Sequence, residues 1–421
     1  MRKLTQALWI VLSAIVLATS AIQPVTAAPG DNSVVHWNEV AASTVLASGA
    51  RSTPSAAALY MAIVQAAVYD AVMAIEGTHQ PYAYDGYAPG ASVDAAVATA
   101  GHDVLAYYFP GPGVDAAYTD AMSAIPPGAA KDKGTQVGHA SAAALIALRT
   151  GDGRDAPAPP PNGFDGTEPG EWRRTNMSAA PVTPYVANVT PFLMESPEQF
   201  RPAGPLPLDS YEYFVEFERT RLFGARFNSQ RTPQQTEIAT FWTENTVGQY
   251  NRALRSLATE RDLSTGKSAL LFAMTDIPAA DAMITCWNSK YHYLAWRPVT
   301  AIPQADSDGN PWTQADPTWQ PLSATANHPE YTSGHACLTG AISRGLEEFL
   351  GTKRIELTMT FVNSSGATVS THHFPTVKAL CTEVEDARVY GGDHWTTGGT
   401  DGTRAGDNLA KSALKRFFRE A

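Results

Sequence analysis

Three cations fall where a helix is expected to be apolar. Between Ala279 and Trp296 the residues Met283, Trp287, Lys290, Leu294 and Arg297 recur at steps of four, three, four and three. From Thr376 to Tyr390 a second stripe runs Val377, Leu380, Cys381 and Val384 and ends on Arg388. Stripes of this period face a core, and an ammonium or guanidinium buried there is costly unless an anion meets it. Such a chain must bring these helices together on a shared anion, or leave the cationic stems snorkelling at a solvated edge.

Between the two stripes stands Ser333-Gly334-His335, which opens a third amphipathic helix marked by Leu338, Ile342, Leu346 and Phe349 and stopped at Gly351. Serine there caps the helix, glycine lets backbone approach a ligand, and the helix N-terminus favours negative charge. After Arg388, Gly391-Gly392 breaks the helix and His394 follows at once. Lys290, Arg297 and Arg388, the Ser333 hydroxyl, the Gly334 amide, His335 and His394 are the donors needed to enclose a tetrahedral oxyanion.

The rest of the chain reads as scaffold. Helical patterns run from Asn32 to Gly49, Thr53 to Gly77, Ser92 to Tyr108, Val114 to Ile125 and Ala129 to Arg149, with Thr53-Pro54 as cap and first-turn proline. Residues 151–207 turn to proline, glycine and short polar residues, an ordered wrap or lid anchored by Trp172, Tyr185 and Phe192, or else a linker. Helices resume from Ser210 to Phe223, Thr232 to Arg261, Ser264 to Met274 and Ala279 to Trp296, and the last spans Asp401 to Phe418. The alternation of Ile355, Leu357, Met359 and Phe361, the turn Asn363-Ser364-Ser365-Gly366, then Val369 and Thr371 is a β-hairpin signature. The predicted fold is mostly α, a helical bundle with a small inserted β-hairpin. Its parts are a leader at 1–27, an N-terminal helical region at 28–150, the wrap at 151–207, and a core at 208–421 that carries the site.

With 421 residues, 44% of them hydrophobic, the chain can bury a large core. Its formal charge is −11. Nucleic acid and anionic membrane are poor partners for that surface. Residues 1–27 read as a secretory signal: Arg2 and Lys3, an apolar run from Leu8 to Ala21, then Val25 and Ala27 before the cut. No later run reaches the roughly eighteen apolar residues of a membrane span, so the expected location is secreted or periplasmic. Cys286, Cys337 and Cys381 allow at most one internal disulfide, and their spacing suggests no zinc site.

The pattern Lys-x6-Arg-Pro, Ser-Gly-His and Arg-x5-His, in this order over the last third of the chain, resembles the superfamily that joins vanadium-dependent haloperoxidases to type 2 phosphatidic acid phosphatases and bacterial acid phosphatases. Trp287 before the lysine, Trp395 after the last histidine and the helical region upstream most resemble the secreted haloperoxidase branch. The resemblance implies a haloperoxidase-like bundle that uses vanadate as cofactor, hydrogen peroxide and a halide as substrates, and a small organic acceptor. It implies that Lys290, Arg297 and Arg388 neutralise vanadate oxygens while Ser333 and Gly334 donate to them. His394 would bind the metal and His335 would handle the peroxide proton. His328 stands where relatives carry a histidine or aromatic lining a halide pocket, a pattern closer to bromide or iodide oxidation, and Trp287 is either part of that pocket or plain core. The alternative is an acid phosphatase using the same cage, with His394 as nucleophile and His335 as leaving-group acid.

Three positions depart from the pattern. Thr332 replaces a proline, Ala387 replaces a serine, and Gly398 stands where relatives carry an aspartate that orients the last histidine. Asp393, beside His394, would oppose an anion if it pointed inward.

Overall fold

The computed structural model describes residues 32–157, 159–160 and 162–421; the leader at 1–27 lies outside them. Among these residues thirteen α-helices and one two-stranded sheet make up the regular structure, with three short 3-10 turns.

The N-terminal helices are α1 (Ser33–Leu46), α2 (Pro54–Glu76), α3 (Val93–Tyr108), α4 (Pro112–Ala124) and α5 (Ala129–Leu148). Alanine and small residues at 56–58, 62, 66, 67, 71 and 74 let neighbours approach α2 closely on every side, and it becomes the axis of this half. The second half contains α6 (Tyr211–Gly224), α7 (Pro233–Phe241), α8 (Thr246–Glu260), α9 (Thr265–Tyr293), the short α10 (Pro298–Ala301) and α11 (Gly334–Leu350). Strands β1 (Arg354–Val362) and β2 (Thr368–Thr376) follow, then α12 (Val377–Tyr390) and α13 (Thr396–Leu414). The 29-residue α9 packs against α2 on one side and against α11 and α13 on the other, joining both halves in one continuous core. The strands pair antiparallel and set Ile355, Leu357 and Met359 into that core.

Two helices reach the length and apolar character of a membrane span, α2 and α9, which corrects the expectation that no run would. Both are almost wholly enclosed by the rest of the fold, as core helices are.

Other boundaries differ for identifiable reasons. The span from 232 to 261 is two helices, because Asn245 restarts the chain: its Oδ1 accepts from Val247 N at 3.1 Å. Conversely, 264–274 and 279–296 are a single helix that runs through Pro278. A proline frees the carbonyl four residues back, here that of Met274, and Gly345 of α11 packs so closely on that carbonyl that a Cβ would lie 2.2 Å from it. Thr53 makes no side-chain cap, α4 begins at Pro112, and α13 begins five residues earlier than the pattern suggested, at Thr396.

The described residues of 151–207 lie along the body, with Trp172 fully buried and Phe192 nearly so. The buried carboxylate of Asp281 in α9 accepts from the Phe192, Leu193 and Met194 amides at 2.7, 2.7 and 3.1 Å, replacing the backbone partners this irregular segment lacks. Trp172 N donates to Leu294 O at 2.6 Å and Trp296 N to Gly170 O at 2.9 Å, which ties the segment to the stretch entering Arg297.

Candidate active site

The carboxyl end of α9, the N-terminus of α11 and the turn between α12 and α13 meet in the core of the second half. Lys290, on the last turns of α9, is fully buried. Its Nζ donates to the carbonyls of Pro329 and Glu330, both at 2.9 Å, and to that of Thr332. All three protons are thereby used, so in this arrangement Lys290 offers the site charge rather than a hydrogen bond, and it fastens the loop that leads into Ser333. Burial pulls its ammonium down to about 8.

Arg297 does not continue the α9 stripe, contrary to the periodic reading. The helix ends at Tyr293, Leu294 turns left-handed with φ 49°, and Arg297 enters from the segment that caps α10. Its Nη1 reaches Asp393 O at 2.7 Å and His394 Nε2 at 3.0 Å; its Nη2 reaches His328 Nδ1 at 2.8 Å, and Nε the His328 carbonyl at 2.9 Å. Arg388 lies on the buried face of α12, with Nη2 2.7 Å from Asp393 Oδ2 and Nη1 3.2 Å from Trp242 O.

Ser333 is the N-cap of α11, its Oγ accepting from Ala336 N at 3.5 Å. Gly334 sits against Trp287, where a Cβ would meet the indole at 3.1 Å. His335 keeps part of its surface accessible, while its Nε2 is buried without a partner among the described residues. His328 is buried with its ring centroid 5.1 Å from that of Trp287, so these two do share one wall.

The tautomer of His394 follows from its neighbours. Nε2 faces the Arg297 guanidinium, which can only donate, so Nε2 must carry the lone pair. The proton is then on Nδ1, which donates to Glu330 Oε1 at 2.8 Å; the Trp395 amide donates to the same oxygen at 3.1 Å. Glu330 thus does for His394 what the missing aspartate at 398 would have done, and Gly398 makes room for it: a Cβ there would lie 2.4 Å from Glu330 Oε1. Sequence reasoning missed Glu330. The available signal was a carboxylate three residues before the capping serine in a chain whose usual orienting acid was absent. Asp393 does point inward, yet its charge is spent on Arg388.

Burial and the surrounding cations hold His328, His335 and His394 well below the usual histidine range, so all three rings are neutral at pH 7. Burial also raises Glu330, to about 8. Three cations therefore outweigh Asp393, and Arg388 Nε and His335 Nε2 remain buried and without a partner among the described residues. Buried donors and cations of this kind suit an oxyanion, which would supply acceptors to the donors and negative charge to the cations. The residues fit such a group.

Comparison with known proteins relates this helical core and its last third to a family. Residues 270–420 match the family described as the VCPO second helical-bundle domain. The vanadium chloroperoxidase of Curvularia inaequalis is 31% identical over 141 residues, covering 27% of this chain and 22% of that protein, so the match spans about a fifth of the curated relative's length. A bacterial vanadium-dependent iodoperoxidase superposes with a TM-score of 0.73 at 19% identity, over 93% of this chain and 97% of its own. A holo-type bacterial vanadium-dependent chloroperoxidase gives 0.71 at 19% identity, over 91% and 97%. The fold is that of the vanadium-dependent haloperoxidases, and the C-terminal third of the chain is similar to their second helical-bundle domain. The fold class thus agrees with the sequence reading, and the family match over the last third of the chain points the same way.

Proposed function

We propose that this protein is an exported vanadate-dependent haloperoxidase that uses hydrogen peroxide to oxidise bromide or iodide and so halogenates small organic acceptors. The observation that carries the reading is His394: a neutral imidazole with its Nε2 lone pair turned into a cluster of three buried cations. Support comes also from the names of its relatives, which are chloro- and iodoperoxidases.

Lys290, Arg297 and Arg388 would hold vanadate by charge, Ser333 and Gly334 by donation, and His394 Nε2 by its lone pair. Bound vanadate supplies Lewis acidity that polarises peroxide. Glu330 keeps the His394 proton on Nδ1 and the ring fixed. His335, neutral and with an unpaired Nε2, takes and returns the proton of peroxide. His328 and Trp287 form a wall suited to a large polarizable halide. The leader at 1–27 supports export.

Purified apo-protein is assayed with and without orthovanadate, for peroxide-dependent bromination of a phenolic dye and for aryl phosphate hydrolysis, beside His394→Ala. Bromination that needs vanadate and vanishes in the variant is the expected result. Vanadate-inhibited phosphate release without bromination would assign the cage to phosphoryl transfer instead.

A further inference from the structure

Far along the chain from the cage, a cavity of about 240 Å³ opens where the end of α5, the turn after it, the end of α3 and the first half of α2 meet. Arg51, Tyr60, Tyr107, Tyr108 and Arg154 line it. Arg154 is 8% exposed. Its Nε is held by Asp152 Oδ1 at 2.9 Å, and its Nη2 by Tyr108 Oη at 3.1 Å and the Arg149 carbonyl at 3.0 Å. Its Nη1 is buried with no partner among the described residues. A guanidinium nitrogen left unpaired inside a protein marks the place of an absent acceptor.

Charge points the same way. Arg149 donates to Asp152 and to the Thr190 and Pro191 carbonyls and is satisfied within the protein. Arg154 shares that one aspartate with it, and among the described residues Arg51 has no carboxylate partner, its Nη1 donating to the Tyr108 carbonyl at 2.5 Å. Counting Asp155 at the exposed rim, three guanidiniums face two carboxylates. One negative charge balances the site, in a protein whose overall charge is strongly negative. The walls are aromatic: the Arg51 and Arg154 guanidiniums lie 5.5 and 5.3 Å from the Tyr60 ring, and Tyr107 stays 58% exposed at the mouth.

We infer that this cavity binds a small aromatic monocarboxylate, its carboxylate bridging Arg154 Nη1 and Arg51 and its ring packed on Tyr107 and Tyr60. The site is separate from the oxyanion cage and independent of the proposed activity.

The test is calorimetric titration of the full chain with benzoate, acetate and inorganic phosphate. Arg154→Gln would break the Asp152 network and could unfold the turn, so the variants are Arg51→Gln and Tyr107→Ala, both at the exposed mouth, with Arg297→Gln reporting on the cage. The expected result is saturable benzoate binding, weakened at least tenfold by Arg51→Gln and severalfold by Tyr107→Ala but unchanged by Arg297→Gln, with acetate and phosphate at least tenfold weaker. No benzoate binding, benzoate binding indifferent to Arg51→Gln, or acetate or phosphate binding as tightly as benzoate would each overturn the assignment.

Discussion

Glu330 and Gly398 occupy one position between them. The carboxylate that orients His394 stands 2.8 Å from its Nδ1, in space that exists because residue 398 has no side chain. The resemblance places the orienting acid on the helix after the histidine; here the loop before Ser333 supplies it.

This exchange predicts a graded series. Glu330→Ala leaves the His394 Nδ1 proton unpaired and should weaken orthovanadate binding about 10–100-fold. Glu330→Gln keeps the accepting oxygen, and because burial holds Glu330 up to about 8, below that pH it replaces a mostly neutral acid with a neutral amide and should retain most of the affinity. Gly398→Asp should be harmful alone, where it collides with Glu330, yet restore affinity in the Glu330→Ala background. Titration of the purified apo-protein followed by vanadium NMR measures all four. Wild-type affinity in Glu330→Ala would remove Glu330 from the site.

A second prediction concerns Asp393, whose Oδ2 lies 2.7 Å from Arg388 Nη2. The carboxylate offsets one of the three cations that an anion would meet. Asp393→Asn keeps a polar partner for Arg388 and removes the charge, so phosphate and orthovanadate should bind roughly tenfold tighter. Weaker binding by a folded variant would mean that Asp393 matters for placing Arg388 rather than for its charge.

What could be read from the sequence was periodic, and what was missed was not. Lys290 and Arg388 sit on helical faces whose apolar neighbours announce burial, and Ser333 caps α11 as its position before the amphipathic run suggests. Arg297 reaches the site although the reason given for it was wrong: the stripe continued on paper past Leu294, where the chain had already turned left-handed. Glu330 and Asp393 lie in loops, and their roles depend on which groups from distant segments face them. Nothing in local spacing carries that information. Likewise α9 runs through Pro278 with Gly345 of α11 packed on the Met274 carbonyl, a tertiary contact that local spacing does not carry.

Close packing of α11 on α13 gives a stability test that does not rest on charge. A Cβ on Gly406 would lie 2.0 Å from the Cys337 carbonyl, and one on Gly340 2.2 Å from that of Thr403. Both obstacles are backbone and cannot swing aside. Gly406→Ala should therefore destabilise by about 1–3 kcal/mol despite alanine's better helix propensity, visible as a lowered midpoint in urea with an unchanged slope. A midpoint equal to or above that of the wild type would show that the two helices have room to separate.

Asp276 supplies a pH test that the histidines of the site do not obscure. It is buried in α9, with Oδ1 accepting from Asn251 Nδ2 at 3.1 Å and Oδ2 without a partner among the described residues. Asn38 and Arg255 continue the same buried chain. Burial raises its carboxyl to about 7, against an ordinary value near 3.8. Between those values the folded state holds a proton that the unfolded state has released, so stability from this group is greatest at the acid end and is lost as pH rises through about 7. The three neutral histidines act in the opposite direction below pH 6.5, which makes the raw pH profile of the wild type a mixture. Comparison with Asp276→Asn removes them: the melting temperature of wild type relative to the variant should fall by several degrees between pH 5 and pH 8. A difference that stays constant across that range would mean that Asp276 is ionised throughout and that Arg255 compensates it more fully than the geometry indicates.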